Sequence, residues 1–398
     1  RGKRLKEARL ARGLYKSDLG DLVGVSGTAI TRYEEGLDNP QRERLDLIAN
    51  KLNFPLEFFV KPEWGESAPI IFWRSRASES KFARELTEQR VAWLCELFYY
   101  LEGRVDFPNS RVPALDVPSD FRLISSEMIE YYAEKVRTVW KLGDEPIPDV
   151  LLALENAGIP VVCLKIESEK QDGFCFRSKM LSRTFVGINT HNISSVRARY
   201  DAAHELGHAV LHTCVTPQQE RDPVWHKIIE QQAHRFAGAF LFPRNAFRAE
   251  VSAPTLNVFA SLKRRWGMSV ASMVYRASDL GLIDELERGF LYRNMGRRGW
   301  RGPLQEPYDS PEEMKLERPR MLKRGIDVLV NEGGMLPASI QSALALPANE
   351  IERLAGLNSG FFDAREVVQL AKMKRTSHLK TVDFERGEII EFPSRSKI

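Results

Sequence analysis

Residues 197–213 read RARYDAAHELGHAVLHT and bring His204, Glu205 and His208 within one stretch of five residues. On an α-helix, side chains four apart lie one above the other, so His204 and His208 present two imidazoles at one spot. Neutral imidazole nitrogen is a good zinc ligand. Glu205, adjacent to His204, can reach a water that such a cation would hold and act as a general base, which is hydrolytic chemistry. Ala203, Leu206, Val210 and Leu211 make an apolar stripe beside the histidines, and no proline interrupts the run. A histidine on an amphipathic helix is also an ordinary packed or surface residue, so the pentapeptide alone leaves both readings open. A third ligand is needed. Glu230 begins EQQAHRFAGAFLFP, a second helical pattern stopped at Pro243, with His234 four residues further on and on the same face. Two histidines from one helix and a carboxylate from another form a catalytic zinc set that leaves the fourth position open for water.

The run RARYDAAHELGHAVLH followed by IIEQQAHRFAGAFLFP resembles the ImmA/IrrE family of metallopeptidase domains, a gluzincin-like group. The resemblance implies a Zn2+ cofactor held by His204, His208 and Glu230, with Glu205 as catalytic base. It also implies a protein substrate, a transcriptional repressor whose cleavage relieves repression. Two positions depart from the family pattern. His234 stands where Asn or Asp is usual, a residue that orients a ligand histidine; His234 can do that or compete for the metal. Asp201 stands where Thr is usual and adds a carboxylate one turn before Glu205. A donor for the developing oxyanion is expected as well, and His226, Tyr200 and His234 are the candidates.

The elements that position these residues belong to a chain of 398 residues, long enough for two or three domains. Hydrophobic content of 43% and charged content of 28% are those of an ordinary soluble protein, and cytoplasmic localisation is expected. No stretch approaches the apolar length of a membrane span, and no secretory signal pattern follows Arg1. Cys95, Cys163, Cys175 and Cys214 are scattered with no paired spacing and read as free thiols. A net charge of +4 permits nucleic-acid binding without requiring it.

Residues 1–60 carry four or five short helical patterns punctuated by Gly13, Gly24 and Gly36. The segment from Leu19 to Gly36, LGDLVGVSGTAITRYEEG, closely resembles the XRE-type helix-turn-helix of the lambda-repressor and Cro family. In that fold the third helix enters the major groove. The resemblance implies DNA contacts from Lys16, Ser26, Gly27, Thr28, Thr31 and Arg32, a double-stranded operator as partner, and a homodimer on a palindrome. Gly27 sits where the family often has a base-reading Gln. The basic run over residues 1–12 reads as a phosphate-contacting arm or as a solvated helix face.

Further along, Glu79–Leu101 reads as a long helix rich in aromatic residues, and residues 107–119 as a proline-rich connector. Helices are expected over 126–142 and 146–157, then strands at 159–164, 173–176 and 184–189. The last of these is either the edge strand that pairs with an extended substrate or an interior strand. Helices are expected over 256–266 and 269–281, a basic loop over 293–301, further helices over 321–373, and a terminal strand near 388–392. The expected fold class is α+β and mostly helical. An all-α helix-turn-helix domain (1–62) and an aromatic-rich connector (63–120) precede a zincin-like metallopeptidase domain with a small sheet (121–290), and a helical C-terminal region follows (291–398). Two functions fit this layout. One is a DNA-bound regulator that carries a zinc endopeptidase. The other is a regulator, or an antitoxin-like DNA binder, whose zinc domain senses or docks without cleaving.

Overall fold

The structure is a computed structural model that describes residues 1–62, 64–65, 72–73, 81–164, 173–191 and 193–364. Five helices open the chain: α1 (Gly2–Ala11), α2 (Lys16–Val23), α3 (Gly27–Glu34), α4 (Arg42–Leu52) and α5 (Leu56–Val60). Ser26 caps α3 by accepting from the Ala29 amide at 3.2 Å, one of the donors a helix start leaves unpaired. Leu19, Val23, Ile30, Ile48 and Leu52 are buried where these helices meet, which leaves the outer face of α3 exposed.

Strand β1 (Phe72–Trp73) and the long helix α6 (Lys81–Glu102) follow. Next come α7 (Ser126–Val139), α8 (Val150–Asn156), β2 (Val161–Leu164), β3 (Gly173–Ser178), β4 (Arg183–Asn189) and α9 (Ser195–Leu211). The strands form one sheet in the order β1-β3-β4-β2; β3 is antiparallel to both neighbours, and β2 runs parallel to β4. Strand β4 is therefore interior, with both edges hydrogen-bonded, and cannot add a substrate strand. The expectation of a free edge at 184–189 fails because β2 occupies that side.

The remaining elements are α10 (Pro217–Arg221), α11 (Pro223–Leu241), α12 (Arg244–Glu250), α13 (Leu256–Trp266), α14 (Val270–Asp279), α15 (Glu285–Arg297), α16 (Met321–Asp327), α17 (Pro337–Leu344), α18 (Ala348–Ala355) and α19 (Phe361–Ala364). Residues 293–297 are helical, so the expected basic loop is the end of α15 and the turn after it. The terminal strand near 388–392, and most of the last expected helix, lie outside the described residues.

Strand periodicity divides the interior in two. Val161, Cys175, Val186 and Ile188 face a core shared with α7, α8, α9, α11, α13 and α14. Val162, Leu164, Phe174, Phe176 and Phe185 face a second core shared with α6, the first five helices and α16–α18. The sheet is thus buried on both faces, with α9 across the first. Among the described residues no helix is long and apolar enough to cross a membrane.

Candidate metal centre

Helices α9 and α11 pack side by side, and a small residue on each sets how closely. A Cβ at Gly207 would lie 3.2 Å from the Cα and carbonyl oxygen of Ala233 and from the Cβ of Phe236. This close approach brings Glu230 of α11 over the histidines of α9. The Glu230 carboxylate lies 3.3 Å from His204 Nε2 and 3.2 Å from His208 Nε2, and the two imidazole nitrogens are 3.0 Å apart. Three donors on one tetrahedral zinc ion, each about 2.0–2.1 Å from it, stand about 3.3–3.4 Å from one another. The triangle is therefore of the size that zinc requires.

Electrostatics put these groups in ligating form. Burial holds the His204 imidazole well below its usual pKa, which favours the neutral form that can ligate a metal. Burial alone would raise the Glu230 carboxyl. The close approach of His204 and His208, with Nε2 atoms 3.3 and 3.2 Å from its oxygens, overrides it and holds the group far below the ordinary carboxylate range. A neutral-imidazole and carboxylate set this well buried suits a divalent cation, so the residues present fit zinc.

Glu205 is fully buried one step along α9 and points at β3. A Cβ at Gly173 would lie 2.9 Å from Glu205 Oε1, so only glycine leaves room for the carboxylate there. Two residues on, Cys175 faces the same side of the sheet. Burial, together with the neighbouring Glu205 and Glu230 carboxylates, pushes its thiol well above the usual value and keeps it protonated. Asp201, also fully buried, lies 3.0 Å from Arg197 Nε, so the carboxylate that departs from the family pattern is matched by a cation on its own helix.

A cavity of about 770 Å³ opens beside the centre. Tyr200 and His234 line it, with Tyr275, Tyr292, Trp300 and Arg301 among the other walls. Tyr200 donates to the His234 carbonyl at 3.0 Å, and its hydroxyl is 3.4 Å from His234 Nδ1. His234 also offers a donor atom within 4.8 Å of those of His204 and Glu230. His226 lies apart, one turn before Glu230, with Nδ1 4.0 Å from the buried Glu220. Of the three oxyanion candidates, Tyr200 and His234 border the cavity and His226 does not. Trp300 and Arg301, expected in a solvated loop, form part of its wall because Glu306 and Asp309 just beyond them are anchored on the buried Lys263, at 2.9 and 2.7 Å.

Sequence reasoning missed Cys175, because strand pairing alone brings it beside Glu205. It missed His212 and Gln232 too. His212 had a visible signal, since HELGHAVLH repeats histidine at intervals of four.

On α3, Ser26, Thr28 and Arg32 are exposed, while Gly27 and Thr31 are half-buried. A Cβ at Gly27 would lie 3.3 Å from the Ser17 backbone, and Thr31 Oγ1 donates to the Gly27 carbonyl at 3.1 Å. Arg32 is paired with Asp38, and Lys16 Nζ is 3.9 Å from Glu34. Arg4 pairs with Glu7 and Glu96, Arg9 with Glu34, Lys6 with Glu85 and Arg12 with Glu350, so these cations dock α1 onto the rest of the molecule.

Residues 5–59 match the family model described as a helix-turn-helix, and residues 154–278 match the model described as an IrrE N-terminal-like domain, a peptidase family. The chain therefore joins an XRE-type helix-turn-helix domain to an IrrE-like domain. No curated protein matches it. Among solved structures, the crystal structure of Bacillus thuringiensis PlcR in complex with the peptide PapR7 and DNA is similar at 12% identity over 74% of this chain and 92% of that one. The TM-score of that likeness is 0.14, which is too low to bear on the fold.

Proposed function

We propose that this protein is a DNA-binding transcriptional regulator carrying a zinc-dependent endopeptidase that cleaves a protein partner, a transcriptional repressor. The observation that carries the reading is the convergence of His204, His208 and Glu230 within 3.0–3.3 Å of one another beside the buried Glu205. His204, His208 and Glu230 would hold the metal. A bound zinc ion supplies Lewis acidity, polarising a scissile carbonyl and making water a nucleophile near neutral pH. Glu205 accepts the proton of the attacking water and delivers it to the leaving amine. Tyr200 and His234, which line the cavity, are the donors open to the developing oxyanion. The exposed face of α3, through Ser26, Thr28 and Arg32, contacts the operator.

The test is Glu205→Gln. The variant is expected to bind zinc as the wild type does and to leave a repressor encoded beside the gene intact. Full-rate cleavage by Glu205→Gln would remove the base from this assignment.

One observation favours a second reading, a regulator whose zinc domain does not cleave. His234 offers a nitrogen within 4.8 Å of the His204 and Glu230 donors, and a fourth protein ligand closes a zinc site against water. Under that reading His234→Ala weakens zinc binding as much as loss of any other ligand does. Under the peptidase reading it leaves the affinity close to that of the wild type.

A further inference from the structure

We infer that His212 and Gln232 are positioning residues that dictate the ligating tautomer of His208 through a one-way hydrogen-bond chain. The inference rests on the metal-binding part of the proposed function and not on cleavage. His208 Nδ1 is 3.0 Å from His212 Nδ1, and His212 Nε2 is 3.0 Å from Gln232 Oε1. Gln232 Nε2 donates to the Phe121 carbonyl at 2.7 Å and the Ile124 carbonyl at 3.3 Å. All three side chains are buried.

The direction of the chain follows from its far end. Backbone carbonyls only accept, so the amide nitrogen of Gln232 must face Phe121 and Ile124, and its oxygen must face His212. His212 must then carry its hydrogen on Nε2, leaving a lone pair on Nδ1. His208 in turn must carry its hydrogen on Nδ1 and donate it to His212. That leaves the Nε2 lone pair of His208 aimed at the space it shares with His204 and Glu230. With both imidazoles neutral, this placement of hydrogens satisfies the contacts from Gln232 to His208. A neutral imidazole has two tautomers, and only one of them can ligate through Nε2. The chain selects that one before any metal arrives. It does so with neutral groups throughout, where many metal sites use a carboxylate. His204 lacks such a support: its buried Nδ1 has no hydrogen-bond partner among the described residues.

The experiment measures zinc affinity of the full chain by competition with a chromophoric chelator, alongside thermal melts of the metal-free forms. His212→Ala is expected to weaken zinc binding about 10–100-fold, the usual effect of removing a group that orients a ligand. His212→Asn places an oxygen near the position of His212 Nδ1 and is expected to retain most of the affinity. Nitrogen NMR of histidine-labelled, zinc-loaded protein should show His208 protonated at Nδ1 in the wild type and in His212→Asn. An Ala variant that binds zinc as tightly as the wild type, or Ala and Asn variants that lose affinity equally, overturns the inference. If His212→Ala does not fold, Gln232→Met replaces it: weaker binding than His212→Asn supports the chain, and equal binding overturns it. A wild type that binds no zinc overturns the metal site and this inference together, whereas a Glu205→Gln variant that still cleaves leaves these affinities untouched.

Discussion

Gly207 lies between the two histidines of α9, and its missing side chain lets α11 approach the centre closely. The space a Cβ would need is taken up, at 3.2 Å, by Ala233 and Phe236 of α11. A bulky side chain there is expected to push α11 outward and withdraw Glu230, because Glu230 and Ala233 ride on the same helix. Gly207→Val should therefore cost roughly 1–3 kcal/mol of stability, as overpacked cores do. It should also weaken zinc binding although no ligand is altered. Denaturant unfolding and metal titration on the same variant check this, and unchanged zinc affinity would show that the helices are not spaced by this contact. The histidines and Glu205 could be read from residue type and spacing. The importance of Gly207 could not, because a glycine in a helix says nothing about what packs against it.

Among the secondary-structure elements, α16 has a buried carboxylate at its start. Glu155, at the end of α8, accepts from the amides of Arg320 at 2.8 Å and Met321 at 2.9 Å, supplying the cap that α16 lacks from its own side chains. Burial raises this carboxyl from 4.5 to about 7, against the opposing pull of those amides. The sign of the effect on stability follows from proton counting. Between these two values the folded chain holds more proton at Glu155 than the unfolded chain does, so stability falls as pH rises through this window. The loss is complete above pH 7 and amounts to about 3 kcal/mol for this group. Glu155→Gln cannot ionise and keeps an acceptor for α16. Its stability should vary less between pH 4.5 and 8 than that of the wild type. Parallel slopes for the two proteins in thermal unfolding would discount Glu155 as the source. The helices themselves were readable: Leu256–Trp266 has the expected limits, and Ser269 caps α14 as its residue type suggests.

Across the whole molecule, the helix-turn-helix is not tethered loosely. Arg4, fully buried, pairs with Glu96 of α6 at 2.6 Å, and Lys61 reaches the same carboxylate at 2.7 Å. On another side, Arg12 lies 3.3 Å from the buried Glu350 of α18. These contacts join the helix-turn-helix to the second core, which includes one face of the sheet; the other face carries α9. Glu96→Ala leaves the buried Arg4 with Glu7 as its remaining carboxylate and should destabilise the protein by up to roughly 3–5 kcal/mol. The exposed side of α3 is unaltered by that change. Thermal unfolding is the measurement, and a melting point unmoved by Glu96→Ala would show that the Glu96 pairs do not hold the first five helices in place.

The sequence by itself determined which residues are the candidates to bind a metal and activate water, where most helices run, and that the first sixty residues form a helix-turn-helix. Those properties are local: four-residue spacing, capping residues and apolar periodicity act within one turn or one helix. Tertiary structure decided the rest. It showed that β4 lies inside the sheet, that the cations of α1 serve docking, and that Cys175 stands beside Glu205. It also showed that His212 and Gln232 complete a hydrogen-bond chain behind His208. Each of these depends on two segments far apart in the chain meeting at a set distance and register, which no window of neighbouring residues encodes.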